Sequence, residues 1–396
     1  MVNNKQLFLR HVAQTSDFPV FLEVEHAEGI FMYDPTGKPY IDLISGVSVS
    51  NLGHRHPAVL KALKEQADAY MHLMVYGEFV ESPQVRYAAW LADNLPASLD
   101  NVYFVSSGSE AIEGAMKLVK RVTGRPNFVA FRNAYHGSSQ GALSLIGDPL
   151  YQGGFLPLLP GIRHIDFNDP KQLAAIDRQT AAVFVEPIQG EAGIIEPAGG
   201  FLTKLAERCW ETGTLLVADE IQTGFGRTGK LFAFEHYGIV PDILCVSKSF
   251  GGGMPLGAFI SSKENMSKLT FDPPLGHITT FGGHPVCCAA GLAAQSYMLD
   301  NGLIGHAAQM GQLYRDLLQH KAIAEIRGKG LYLAVRLDGA YPVALFLKKA
   351  FEKGIAMDMF LFCQDAFRIS PPLIISQEEV ELSVKWILEV LDDMAK

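Results

Sequence analysis

Asp242-Ile243-Leu244-Cys245-Val246-Ser247-Lys248-Ser249-Phe250-Gly251-Gly252-Gly253 joins a short apolar run to a lysine and then to three glycines. A buried strand ending this way delivers an amine into a loop poor in water. Burial disfavours an ammonium, and a lysine so placed is set up as a Schiff-base nucleophile. A second run, Leu215-Leu216-Val217-Ala218-Asp219-Glu220, stops abruptly at two carboxylates, and a third, Val102-Tyr103-Phe104-Val105, leads into Ser106-Ser107-Gly108-Ser109-Glu110. Runs of this kind, with Phe128 to Phe131, Ala182 to Val185 and Leu256 to Ile260, alternate with helical stretches from about residue 100 to residue 260. They predict an α/β sheet covered by helices on both faces, with ligands at the carboxyl ends of its strands.

The helix after Ser107 is marked by Ile112, Ala115, Met116 and Val119 at three- and four-residue steps. Glu113 and Lys117 should pair on its other face, Ser107 and Glu110 should form a capping box, and Gly124 should stop it. Free N–H groups at such a start make an anion site. A lysine, an aspartate and a phosphate cradle are together what pyridoxal phosphate requires: an amine for its aldehyde, a carboxylate for its pyridine nitrogen and N–H donors for its phosphate.

At this point the chain resembles the class III (ω-amino acid) aminotransferases, nearest to the acetylornithine/ornithine group. The segments that carry the resemblance are Ser107-Gly108-Ser109-Glu110-Ala111, Tyr135-His136-Gly137, Glu186-Pro187-Ile188-Gln189-Gly190-Glu191, Asp219 to Gly229, Ser247-Lys248, Thr280-Phe281-Gly282-Gly283 and Arg368-Ile369-Ser370-Pro371-Pro372-Leu373. They stand in family order over nearly the whole chain. The resemblance implies fold type I of the pyridoxal-phosphate transferases: a large domain with a mixed, mostly parallel sheet, plus a small α+β domain made from both termini. Residues 1–50, 51–295 and 296–396 are the expected N-terminal part of the small domain, large domain and C-terminal part of the small domain.

It also implies roles. Lys248 holds the cofactor and moves the proton; Asp219 pairs with the pyridine nitrogen; Ser107, Gly108 and Ser109 cradle the phosphate. Tyr135 stacks on the ring within a motif that includes His136, Gln222 lies near the phenolic oxygen, and Thr280 reaches the phosphate of a neighbouring subunit, making the enzyme a homodimer. Arg368 grips a substrate carboxylate, and Glu191 pairs with it when an amine-bearing substrate enters. The expected reaction is a ping-pong transfer from an ω-amino donor to a 2-oxo acid. Where many relatives follow the aromatic-His-Gly motif with an arginine, this chain reads Ser138-Ser139, so another cation must meet any distal carboxylate. An aminomutase, racemase or decarboxylase on the same fold is the alternative within enzymes, and a cofactor-sensing regulator the alternative outside them.

Composition narrows the field. With 33 basic and 42 acidic residues the net charge is −9, which disfavours a nucleic-acid surface. Five cysteines, odd in number and without metal-ligand spacing, suggest reduced thiols and no metal site. Met1-Val2-Asn3-Asn4-Lys5-Gln6 lacks the apolar core of a leader, and no apolar run approaches the roughly 20 residues of a membrane span, so the expected location is the cytoplasm.

Overall fold

The computed structural model describes residues 3–395; Met1 and Val2, which begin the stretch read for a leader, and Lys396 lie outside the described residues. In chain order its strands are β1 (His26–Glu28), β2 (Phe31–Tyr33), β3 (Pro39–Asp42), β4 (Asn101–Val105), β5 (Asn127–Phe131), β6 (Ile162–Ile165), β7 (Thr180–Val185), β8 (Leu215–Asp219), β9 (Ile243–Val246), β10 (Gly257–Ser261), β11 (Ile323–Lys329), β12 (Tyr332–Leu337), β13 (Ile355–Ala356) and β14 (Ala366–Ile369). Seven of them form one sheet in the order β4-β10-β9-β8-β7-β5-β6. β10 runs antiparallel to both its neighbours, while the other pairings are parallel. β4, β5, β7, β8 and β9 therefore all point the same way, and their carboxyl ends lie along one edge.

The inner strands β7, β8 and β9 are largely apolar because both faces of the sheet are covered there, while the edge strand β6 carries Arg163 and His164. On β7, Val183 and Val185 face a core shared with the helices Phe201–Thr212 and Pro285–Asp300, whereas Ala182 and Phe184 face a second core built on the helix Gly108–Thr123. With no solvent side, alternation of polar and apolar residues disappears. The helix Gly108–Thr123 buries Ile112, Ala115, Met116 and Val119, as their spacing predicts, and ends at Gly124 in the left-handed region (φ 68°).

Two local expectations need correction. Ser107 Oγ accepts the Glu110 N–H at 3.2 Å, but the Glu110 carboxylate accepts the N–H of Ser106, at 2.6 Å, rather than that of Ser107. The extended backbone at Ser107 (φ −153°) presents its neighbour's N–H instead, so the capping box is half formed. Nor do Glu113 and Lys117 pair. Glu113 accepts from Ser139 Oγ and from the N–H groups of Gly141 and Ala142 at 2.7, 2.8 and 3.2 Å, and Lys117 Nζ lies 2.9 Å from His277 Nδ1. Backbone N–H groups at a buried helix start must find an acceptor, whereas an exposed ion pair contributes little.

A hairpin around Asp34 to Gly37 forms from β2 and β3, and β13 adds to β3 in parallel, Ile355 opposite Ile41. Residues from both ends of the chain thus share a sheet. A further sheet, β11-β12-β14, lies beside the edge of the large one where the strand ends converge. Arg227, fully buried, ties these parts together: Nη1 donates to the carbonyls of Leu331 and Pro371, and Nη2 to Ser45 Oγ and Asn51 Oδ1. Burial pulls its pKa down to about 9, although Tyr332 and Asp42 oppose the shift. Cys209, Cys245, Cys287 and Cys288 are buried, Cys363 is partly so, and all five are free thiols. Among the described residues no helix is long and apolar enough to cross a membrane.

Candidate active site

Each of five co-directional strands delivers a functional residue just past its carboxyl end: Ser107 to Ser109 after β4, Tyr135 and His136 after β5, Glu186 after β7, Asp219 at the end of β8, and Lys248 after β9. All of them line one cavity of about 190 Å³, together with Gln222 and Thr223. Strand direction alone brings these distant residues together, as expected at the carboxyl edge of an open α/β sheet. Lys248 is held in the left-handed region (φ 53°), an uncommon conformation for a side-chain-bearing residue and one that turns it out of the strand line. Gly252 follows at φ 60°, where a Cβ would stand 2.7 Å from the carbonyl oxygen of Ala290. The glycine run is therefore a packing requirement of the loop that carries the lysine.

Asp219, only 5% exposed, is fixed twice. His136 Nδ1 lies 2.7 Å from its Oδ2, and the N–H of Ile221 donates to Oδ1 at 3.0 Å. His136 thus acts on the cavity through Asp219. Burial lowers the pKa of Lys248; Glu191 opposes that shift, Arg368 adds to it, and Asp219 and Glu186 oppose it. The neutral amine needed for nucleophilic and base chemistry is thereby favoured. Glu186 was part of a sequence motif but carried no expected role. Its carboxyl is pushed well above the ordinary range, by burial first and by Asp219 second, and it accepts weakly from the N–H groups of Gly190 and Tyr135, both at 3.4 Å.

Arg368 and Glu191 meet as the sequence expectation requires. Arg368, 1% exposed on β14, donates through Nη2 to Glu191 Oε1 at 2.7 Å, and its guanidinium lies 4.7 Å from the centre of the Phe360 ring. Glu191 Oε2 accepts the N–H of Leu361 at 3.1 Å. Two neighbours escaped the sequence reading. Asp358 places Oδ1 3.6 Å from Arg368 Nε, and burial pushes its carboxyl up to about 6 although Arg368 opposes the shift. Tyr332 is fully buried on β12 with its hydroxyl unpartnered, in the field of Arg368, Glu186 and Glu191. Asp358 had a usable signal, since Gly354-Ile355-Ala356-Met357-Asp358 is an apolar run ending in an acid, like that before Asp219. Tyr332 had none.

Thr280 is exposed and does not line this chain's cavity. Ser138 hydrogen-bonds the Tyr135 hydroxyl, whose pKa rises chiefly through burial.

Pyridoxal phosphate fits these residues. At Gly108 a Cβ would stand 2.9 Å from Ile221 Cδ1, and at Gly137 2.2 Å from Ser109 Oγ, so the cradle at the helix start is kept open by glycines. His136 Nε2 and Gln222 Nε2 are buried polar atoms without a partner. Carboxylate, amine and helix N–H groups stand around one space.

The family described as Aminotransferase class-III matches residues 12–391. The acetylornithine aminotransferase of Methanopyrus kandleri is 39% identical over 96% of each chain, and ornithine aminotransferase 2 of Staphylococcus aureus is 37% identical over 96% of each. Among solved structures, the ornithine aminotransferase of Toxoplasma gondii ME49 has a TM-score of 0.92 at 30% identity, covering 100% of this chain and 96% of that one. An ω-transaminase of Pseudomonas jessenii, solved in complex with PMP, has a TM-score of 0.92 at 28% identity over 99% and 98%.

Proposed function

This chain belongs to the class III aminotransferases and uses pyridoxal 5′-phosphate to move an amino group from an ω-amino donor to a 2-oxo acid, and from that premise we propose how its residues divide the work. The observation that carries the proposal is the placement of Lys248, Asp219 and the helix start at Ser107 on one cavity, with Arg368 closed by Glu191 close enough to act on the lysine.

The cofactor, when bound, supplies an electrophilic aldehyde and an electron-withdrawing ring. Ser107, Gly108 and Ser109 hold its phosphate through backbone N–H groups at the positive end of a 16-residue helix. Asp219, braced by His136, would keep a proton on the ring nitrogen, and Tyr135 and Gln222 would hold the ring and its phenolic oxygen. Lys248 Nζ takes the proton from the amine-bearing carbon of the donor and returns it on the other side of the transfer. Arg368 receives the carboxylate of the 2-oxo acid through a planar guanidinium fork, and Glu191 neutralises it while an amine-bearing donor occupies the site.

The working unit is a cytoplasmic homodimer in which residues 1–50 and 296–396 form a small domain beside the large one, and Thr280 completes the neighbouring subunit's phosphate site. Mixing Lys248→Ala and Thr280→Val subunits tests the shared site. A hybrid dimer holds one intact site, so activity should return on mixing; two inactive parents that stay inactive when mixed would refute sharing.

The donor class is found by adding N-acetylornithine, ornithine, 4-aminobutyrate and lysine singly, without acceptor, while the visible absorbance of the holoenzyme is followed. One donor should discharge the band and a 2-oxo acid should restore it. A band that survives every donor would count against the donor classes named here. The transaminase relatives lend no support to an aminomutase, racemase, decarboxylase or sensor.

A further inference from the structure

Arg368 has more negative charge against it than a carboxylate-binding arginine needs. Glu191 holds Nη2 by a 2.7 Å hydrogen bond, and Asp358 lies 3.6 Å from Nε without hydrogen-bonding it. Nε and Nη1 remain unpartnered although the residue is 1% exposed, and Asp358 Oδ1 is likewise buried and unpartnered. A close ion pair whose members both keep unused hydrogen-bonding atoms is not a finished structural bridge. Its position is fixed by backbone, since the Arg368 N–H donates to the Asp358 carbonyl at 2.9 Å. The Asp358 side chain is 29% exposed, and the charges that act on it are those of the reacting end of the site: Arg368, Glu191 and Lys248.

We propose that Asp358 is a specificity-determining residue that keeps a negative charge beside Arg368 after Glu191 has moved away, favouring the ammonium of an ω-amino donor and weakening the grip on a 2-oxo acid. The inference rests on the reading of Arg368 as the carboxylate site. Once Glu191 has released the arginine, Asp358 still stands beside it, because its carbonyl is hydrogen-bonded to the N–H of Arg368 itself. An incoming carboxylate therefore meets a guanidinium already half neutralised, whereas a donor with no carboxylate on its reacting carbon suffers no such penalty. Like charges at this range in a partly dry site cost enough to shift binding by about tenfold.

Asp358→Asn removes the charge and keeps the shape. In the holoenzyme, with the two half-reactions measured separately by stopped-flow absorbance, the apparent Kd for 2-oxoglutarate should fall about tenfold and that for the ω-amino donor should rise a few-fold. Opposite movement is the signature, because a merely structural lesion would weaken both. Asp358→Ala should reproduce the direction. In the unaltered enzyme, lowering pH through about 6 neutralises Asp358 and should tighten acceptor binding. Asp358→Asn should abolish that component. Acceptor affinity that is unchanged or worse in both variants overturns the proposal. If Arg368→Lys weakens the acceptor while the Asp358 variants do not strengthen it, this inference alone falls. If Arg368→Lys leaves acceptor binding intact, the carboxylate-site reading falls with it.

Discussion

The sheet edge that carries Asp219 and Lys248 and the β12–β14 side that carries Tyr332 and Arg368 handle polar atoms differently. At the sheet edge Asp219 has both oxygens engaged and the helix start is capped by Ser107, while His136 Nε2 and Gln222 Nε2 stand without partners. On the other side Arg368 Nε and Nη1, Asp358 Oδ1 and the Tyr332 hydroxyl are buried and unpartnered. Buried polar atoms normally find partners, so orphans on either side mark places open to a bound group. On the division of work proposed above, one region holds a resident group and the other exchanges ligands between half-reactions.

That contrast can be broken by substitution. Lys248→Ala should give the largest effect, a loss of roughly 10⁴-fold or more in turnover with loss of covalently held cofactor, read by absorbance and single-turnover kinetics. Asp219→Asn should follow at about 10²–10³-fold in turnover and with weaker cofactor retention, as for one partner lost from a buried charged pair; retention equal to the unaltered enzyme would argue against Asp219 as a cofactor ligand. Arg368→Lys should cost about 10²-fold in kcat/KM for the 2-oxo acid, because an ammonium cannot reproduce a bidentate grip, while the donor half-reaction suffers much less. If both half-reactions fall equally, the division between a holding and an exchanging region fails.

The smallest effect concerns stability. Glu220, next to Asp219, is buried, and burial pushes its carboxyl to about 7, with Thr223, Ala233 and Phe234 opposing. A folded-state pKa above the unfolded one means stability present below the ordinary carboxylate value and lost as pH rises through about 7. Glu220→Gln should remove roughly 3 kcal/mol of pH-dependent stability change between pH 4.5 and 7, measurable by denaturant unfolding of the apoenzyme. An unaltered slope would mean that other groups carry it.

The large sheet was legible because strands covered on both faces leave dense apolar runs, and their terminal residues are polar for a functional reason. The ion pair of Glu113 with Lys117 was misread because helical spacing reports which residues could meet, while competing backbone donors elsewhere in the chain decide which do. Asp358 was missed although its run resembles that before Asp219, because β13 is two residues long and its acid acquires meaning only beside Arg368.

The sequence by itself determined the α/β class, the strand-end positions of Lys248 and Asp219 and the helix start at Ser107, since each follows from a local pattern of burial, charge and backbone freedom. The tertiary structure decided that Arg227 binds both termini to the large sheet, that His136 braces Asp219, and that Arg368 faces two carboxylates rather than one. Those contacts join residues far apart in the chain, and only packing, which sets distances and removes water, turns them into chemistry.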